Sequence, residues 1–466
     1  MRLRDVPELL ARHVRPVERN PLRRAHCFLL GYGTRFSLIV PCCIFLPMER
    51  RLLVLGAGRH QKDLIRRAEA RGLRVVASDS YPDAPGKAFA SYPEQVDALA
   101  VDANIALARK HGVQGVITSG TDLALVTMAD VAAALGLPCY LTPEAARTAT
   151  HKSRMAHAFA AHGVPRAPWR ETRRLAEAAK AAEALGFPVV VKPADSQGQR
   201  GTRVVSGSES LERAVAEALG ASRSGCAMVE PFVEGWEVTA SAWAKGGDVR
   251  IQMLTDRVTY NPRPAIGICF QHIYPSLRAV GLRRRIHETL QRVARCYGVN
   301  DAPLYVQMIV NGRGEIFVVE AACRVGGGHE SSLTPVATGV DVLDRLIDLA
   351  LDGRSAPIDD AHDETGSHGH ALVNFLLARP GTVAALEGFE ALLRRHDILE
   401  GEYYIRPGHE CLPIADGQAR VGYFIARAAS RAALLERSAA AYRALSILDA
   451  SGRNLLFIPG SQELLG

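Results

Sequence analysis

Aromatic residues are scarce in this chain: 3 Trp, 12 Tyr and 13 Phe make up 6% of 466 residues. No basic run is interleaved with them, so the stacking platforms that grip nucleic acid are missing and no nucleic-acid partner is expected. Charge of one sign is lacking too. The 56 Lys plus Arg against 49 Asp plus Glu leave a formal +7, a mild basic bias that suits phosphate-bearing small molecules. The nine cysteines include no C-x-x-C pair, and Cys42 and Cys43 are adjacent. That excludes a zinc knuckle or a disulfide framework and points to a reducing, cytoplasmic setting. Nowhere does the chain hold the run of about 18 apolar residues needed to span a bilayer, so no membrane partner is expected. The nearest approach, Phe36 to Leu46 (FSLIVPCCIFL) behind several arginines, resembles a short signal segment, but no A-x-A-like cleavage site follows. Residues 1–48 read as an extension, disordered or the product of an over-long start, because a folded domain plainly begins at ERRLLVLGAG.

Low-complexity tracts are absent as well, and 48% of residues are apolar against 23% charged. A globular chain of two to four packed units follows. Residues 49–148 open as a βαβ unit: an apolar strand Leu52 to Leu55, a glycine turn, a helix to about Arg71 and a strand Arg74 to Ser78. A helix from Val101 to His111, a strand Gly115 to Thr118, a helix Leu123 to Leu135 and a strand around Pro138 to Leu141 continue the alternation, which predicts a parallel sheet. The turn Gly56-Ala57-Gly58 is no dinucleotide fingerprint, because the third glycine position holds Gln61. It serves either the strand-to-helix turn itself or a small substrate at the helix N-terminus, and Ser119 to Asp122 end another strand beside it.

From residue 149 the texture is α+β. Helices at Arg154 to His162 and Leu175 to Leu185 alternate with strands at Val189 to Lys192 and Ala227 to Glu230. Strands Val238 to Ala244, Val249 to Thr255, Leu304 to Val310 and Glu315 to Glu320 pair as hairpins across Gly246-Gly247 and Asn311-Gly312. A helix near Val340 to Leu351 precedes an Asp/His/Gly/Ser-rich linker, Asp352 to His368, and a smaller α/β unit fills residues 353–466.

The residues that carry chemistry lie on these strands. VVVKP ends a buried strand on Lys192 and opens into a Gly/Ser loop through Ser196, Gly198, Gly201 and Thr202. An ammonium and several backbone N–H groups then surround one anion, which suits nucleotide phosphates, although no P-loop is present. A second strand meets VEPFVEGWE, where the backbone of Glu230, Phe232 and Val233 offers a purine one donor and one acceptor and Glu237 offers a ribose its carboxylate. Gln307 and Glu320 stand on strands joined by a tight turn and supply hard oxygen ligands for Mg²⁺. Arg324 follows, in reach of a phosphate in flight, and Gly327 and Gly328 let backbone approach it. Between the ribose and metal motifs, Arg257, Arg263 and His272 are candidates for holding a substrate carboxylate, His272 reading equally as a satisfied buried histidine.

Lys152 in ATHKSRM, Lys192 in VVKP, the Gly loop, Glu230 in VEPFVEGWE, and Glu320 with Arg324 in VEAACRVGGG stand in the order found in the ATP-grasp superfamily, which the chain resembles from about residue 50 to its end. The resemblance implies an α/β and α+β multidomain chain: a Rossmann-like N-terminal domain, an ATP-grasp fold over 149–352 with its lid at about 158–228, and a C-terminal α/β subdomain. It implies ATP and Mg²⁺ (or Mn²⁺) as cofactors. Lys152 and Lys192 would contact ATP phosphates, the loop from Ser196 to Thr202 would close over them, Glu230 to Val233 would hold adenine, Glu237 the ribose, and Gln307 and Glu320 the metal. Arg324 would contact the transferred phosphate and, with Lys192, form the catalytic pair. Where the family often shows E-x-N-x-R this sequence has Ala322, which leaves a third metal ligand unassigned and resembles the L-amino acid ligase branch. The C-terminal stretches GHALVNFLLARPGTV and ARVGYFIARAAS resemble that branch as well.

Such ligases need no side-chain nucleophile. A substrate carboxylate attacks the γ-phosphate and an amine then attacks the acyl phosphate, with positioning and charge neutralisation as the catalysis. Small-molecule carboxylate and amine substrates are therefore expected, with a homodimer as the default assembly. Two other readings stay open: a bicarbonate-using carboxylase of the biotin carboxylase or purine-pathway type, and a catalytically silent nucleotide-binding scaffold.

Overall fold

The segment RLLVL at Arg51–Leu55 is apolar after its first residue, and Leu52 to Leu55 are wholly buried, the mark of a central strand covered on both faces. A computed structural model of the chain describes residues 49–357, 369–395 and 397–460. The extension at 1–48 and the linker beyond residue 357 lie outside them. In the described part Arg51–Leu55 is flanked by Arg74–Ser78 and Gly115–Ile117, all parallel, with helices Arg59–Ala70, Val101–His111 and Leu125–Leu135 alternating with them.

The fourth strand of this sheet is not where the pattern put it. Residues 138–141 are not a strand. Pro138 has no N–H to offer a ladder, and the segment leads instead into Thr142, whose hydroxyl caps helix Pro143–Thr150 by accepting from the Ala145 N–H at 3.1 Å. The edge place is taken by Tyr92–Glu94, beside Arg74–Ser78. Its central Pro93 argues against a strand in sequence, yet proline is tolerated at a sheet edge.

A second, antiparallel sheet has the order Arg170–Thr172, Ala227–Pro231, Val189–Pro193, Arg203–Val205. Helices Leu175–Leu185 and Leu211–Ala221 pack on it through Ala178, Ala182, Val215 and Ala218 against Val189, Val191 and Val229. Small alanines let these helices lie close, so a thin layer stays rigid.

The third sheet has nine strands. Its path runs Ile316–Ala322, Asp301–Val310, Trp236–Lys245, Asp248–Tyr260, Ile268–Tyr274, His370–Ala378, Arg420–Ala428, Ile398–Tyr403, and Leu456–Phe457 pairs beside His370–Ala378. Both expected hairpins form, one across Gly246-Gly247 and one across the turn at 311–314. The later strands differ from the expectation of a separate smaller unit. His370–Ala378 continues the ladder directly from Ile268–Tyr274, with Gln271 opposite Asn374 and Tyr274 opposite Ala371. From Glu49 on, the chain is one compact unit.

Candidate functional site

Two sheets face each other across a cleft that both of them line. The small antiparallel sheet supplies Lys192 and Glu230, the large sheet supplies Glu237, Gln307 and Glu320, and Lys152 enters from the first turn of helix Lys152–Ala161. Ser196, Gly198 and Thr202 of the glycine loop, with Phe232 and Val233 of the connecting segment, complete it. Eleven residues singled out in the sequence thus line a single cleft. Strand alternation is the cause: Glu237 and Thr239 lie opposite Ile309 and Gln307, and Gln307 lies opposite Glu320, so the polar side chains fall on one face.

The charges in the cleft are paired. Glu230 accepts from Lys192 at 2.7 Å on Oε2 and from Arg166 at 2.5 Å on Oε1. Burial pushes the Lys192 ammonium below its ordinary pKa, and Glu230 offsets part of that. The Glu230 side chain is therefore a counter-ion, and only the backbone of this segment can face a purine. Even there Phe232 is engaged, since its N–H donates to the Pro188 carbonyl at 2.9 Å. Lys152 donates to the Ser196 carbonyl at 2.5 Å and stands 3.9 Å from Glu320. Burial acts to raise the Glu320 pKa, but Lys152, Arg324, Lys192 and Arg257 outweigh it and hold the carboxyl below its usual value. Glu237 receives Gln307 Nε2 at 2.6 Å and Arg257, both on Oε2.

Gln307 and Glu320 fit a hard cation. With its NH₂ committed to Glu237, Gln307 keeps an amide oxygen as a neutral ligand beside an ionised carboxylate. Among the described residues no group of three or more His, Cys, Asp or Glu is placed to hold a metal ion. This pair suits Mg²⁺ completed by phosphate oxygens and water rather than an all-protein cage.

The remaining predicted residues lie elsewhere. Gly201 has φ +67 and packs against helix Leu211–Ala221, where a Cβ would come within 2.9 Å of the Ala221 side chain and 3.1 Å of the Glu217 carbonyl. Arg257 is buried as the partner of Glu237 and the Gly267 carbonyl (3.0 Å) and stands in the wall of a neighbouring cleft. Arg263 points to the same cleft and stacks over Phe232 at 5.3 Å. His272 is buried among Cys269 (3.3 Å), Thr255 (3.3 Å) and Glu330 (3.6 Å), and burial drives its pKa well below the ordinary value. Gly327 and Gly328 pack closely on neighbouring protein atoms. A Cβ on Gly327 would lie 2.4 Å from the Gly120 carbonyl oxygen, and one on Gly328 would lie 2.8 Å from His272 Nε2.

Arg324 is buried and forked onto Asp122, with Nε 2.5 Å from Oδ1 and Nη2 2.9 Å from Oδ2. Its guanidinium also lies over the Tyr305 ring at 5.4 Å. Sequence reasoning put Asp122 at a strand end without linking it to Arg324. It missed Arg166 entirely, since nothing in VPRAP marks that residue out. Nor did it foresee that the phosphate loop is tied to the C-terminal part of the chain, where the Gly417 N–H donates to the Gly198 carbonyl at 3.0 Å.

Comparison with known proteins follows this division. Residues 151–257 match a family model described as the carbamoyl-phosphate synthase L chain, ATP binding domain, and residues 374–448 match one described as the L-amino acid ligase C-terminal domain 2. The uncharacterized protein y4rH of Sinorhizobium fredii (strain NBRC 101917 / NGR234) is 26% identical over 345 residues, 72% of this chain and 69% of its own length. Formate-dependent phosphoribosylglycinamide formyltransferase of Burkholderia pseudomallei (strain 668) is 32% identical over 199 residues, 41% of this chain; the chain spans about half of that enzyme (49%). Among solved structures, the L-amino acid ligase of Bacillus licheniformis superposes with a TM-score of 0.71 at 19% identity, covering 86% of this chain and 99% of that one. The fold is thus that of the ATP-grasp enzymes, and within it the two matched segments are similar to an ATP-binding domain of the carbamoyl-phosphate synthase kind and to a C-terminal domain of the L-amino acid ligase kind.

Proposed function

We propose that this chain is an ADP-forming carboxylate-amine ligase that makes an amide or peptide bond through an acyl phosphate, using ATP and Mg²⁺ (or Mn²⁺). The observation that carries the proposal is the facing of two lysines, Lys152 and Lys192, against Glu320 and Gln307 across one cleft under a glycine loop. The lysines neutralise a polyphosphate on one side, and a cation held by Glu320 and Gln307 would do so on the other. The Val233 N–H serves a purine, since the Phe232 N–H is engaged, and Glu237 Oε1 takes a ribose hydroxyl, since its other oxygen holds Gln307 and Arg257. Mg²⁺ on Gln307 and Glu320 supplies charge neutralisation at the phosphates. Lys152 and Lys192 orient the phosphates, the 196–202 loop excludes water, and Arg324 faces the transferred group. A carboxylate oxygen bonds to the γ-phosphorus as ADP leaves, and the amine nitrogen then displaces phosphate from the acyl carbon. No side chain enters either bond.

In this reading residues 49–148 are the preceding Rossmann-like domain, 149–352 the ATP-grasp domain and 353–466 its C-terminal companion, acting in the cytoplasm, with a homodimer as its assembly. The match to a formate-dependent enzyme favours a second reading, in which the acid is a one-carbon species. The test is an ADP- and phosphate-release screen of amino acid pairs, small organic acids, formate and bicarbonate, with mass spectrometry of the products. ADP release that requires two amino acids and yields their dipeptide supports the first reading. Release that requires only formate or bicarbonate supports the second, and no release with any pair sinks both.

A further inference from the structure

Asp122 stands at the end of the parallel strand Gly115–Ile117 and its Ser119 to Asp122 turn, 202 residues from Arg324. That turn is fixed on every side. Ser119 Oγ donates to the His60 carbonyl at 3.0 Å, the Ser119 carbonyl accepts from Gln61 Nε2 at 2.5 Å, and Gly120, at φ +68, leaves no room for a Cβ, which would fall 2.6 Å from the His60 Cβ. On its other side the Gly120 carbonyl presses on Gly327. The Asp122 carboxylate is therefore locked in place before any ligand arrives, and it is itself buried, 2% exposed.

A guanidinium has five N–H donors. In Arg324, Nε and one Nη2 hydrogen go to Asp122, and one Nη1 hydrogen goes to the Val325 carbonyl at 3.2 Å. One hydrogen on each Nη is left. Burial disfavours the Arg324 charge, and Asp122 more than restores it. Asp122 thus holds the guanidinium side-on through Nε and Nη2 and leaves it donors on its two Nη atoms that Asp122 does not take up.

We infer that Asp122 is a positioning residue, through which the N-terminal parallel sheet fixes the orientation of Arg324 for the transferred phosphoryl group. This rests on the reading of Arg324 given above. It also gives Gly120 and Gly327 one shared purpose, since the backbone contact between them sets the reach of Asp122.

The test separates ground-state nucleotide binding from recognition of phosphoryl in transfer. Calorimetry of the full chain measures MgADP binding with and without aluminium fluoride, which mimics a phosphoryl group in transit, in wild type, Asp122→Asn, Asp122→Glu, Arg324→Met and Asp122→Asn/Arg324→Met. Asp122→Asn should leave MgADP affinity within about twofold and cut the gain from fluoride roughly 100-fold, the cost of misplacing a catalytic group by about 1 Å. Asp122→Glu keeps the charge but shifts the carboxylate by a methylene, and should lose most of the gain as well, with unchanged MgADP affinity reporting that the variant is folded. In the Arg324→Met background the Asn substitution should add nothing. An equal loss from Asp122→Asn in both backgrounds, or a full fluoride gain in Asp122→Glu, would overturn the inference. Failure of wild type to bind MgADP, or a full gain in Arg324→Met, would instead remove the underlying reading of the site.

Discussion

Lys192 Nζ lies 2.7 Å from Glu230 Oε2, and the same carboxylate holds Arg166 on its other oxygen. The two sides of this pairing are not equivalent. Removing Lys192 leaves Glu230 with a guanidinium partner, whereas removing Glu230 strands two buried cations. Lys192→Met should keep its melting temperature within a few degrees and abolish substrate-dependent ADP release. Glu230→Ala should lose about 3 kcal/mol or more of stability. Thermal melts read beside ADP release check both, and a Glu230→Ala protein as stable as wild type would contradict the pairing.

Glu320 lies opposite Gln307 in the hairpin, and in the proposed metal site it is the ionised partner. Glu320→Gln preserves shape and removes that charge. The Mg²⁺ concentration giving half-maximal ADP release should rise by about tenfold or more, a loss of roughly 1.4 kcal/mol. A titration of activity against Mg²⁺ at saturating ATP measures it, and an unchanged midpoint would exclude Glu320 from the metal.

Gly327→Ala places a Cβ 2.4 Å from the Gly120 carbonyl oxygen. Backbone, not a flexible side chain, must then move, at a cost of about 1–3 kcal/mol. Gly339→Ala is a poor control because its φ is +75, but Gly220→Ala meets open space inside a helix and should be neutral or stabilising. Chemical denaturation of the two variants should separate them clearly.

Burial, reinforced by nearby cationic groups, holds His272 and His329 well below an ordinary imidazole pKa of 6.5. In the unfolded chain these rings take up protons as pH falls through about 6.5, while the native rings do not. The unfolded state therefore binds more protons, so native stability is complete above pH 6.5 and is lost as pH falls below that value, at up to about 1.4 kcal/mol per pH unit for each ring. Melts at pH 7.5, 6.5 and 5.5 should show a falling transition temperature below 6.5 that His272→Gln makes shallower. A flat profile would contradict the buried neutral state.

Local pattern carried far in this chain. The tight turn between the strands of Gln307 and Glu320 placed those two together without any tertiary information, whereas Glu237 joins them only through the long-range pairing of its strand with that of Gln307. The strand Val189–Pro193 reads from its valines alone. What stayed hidden depends on long-range contact. Arg324 and Asp122 are brought together only when the parallel sheet docks on the large one, and Arg166 reaches Glu230 across 64 residues. Tyr92–Glu94 escaped because Pro93 is permitted at an edge where no ladder partner needs its N–H. For His272 and Arg257 the polarity was legible in the sequence and the buried partners, Cys269 and Glu237, were not.

The shared ladder between Ile268–Tyr274 and His370–Ala378 makes the two halves of the molecule mechanically inseparable. Neither strand is an edge, so parting them exposes two rows of unpaired N–H and C=O groups at once, each a template for misassembly. A chain cut before His370 should yield two insoluble pieces rather than two working domains. The C-terminal strands are thus as much a part of the cleft's foundation as the residues that line it.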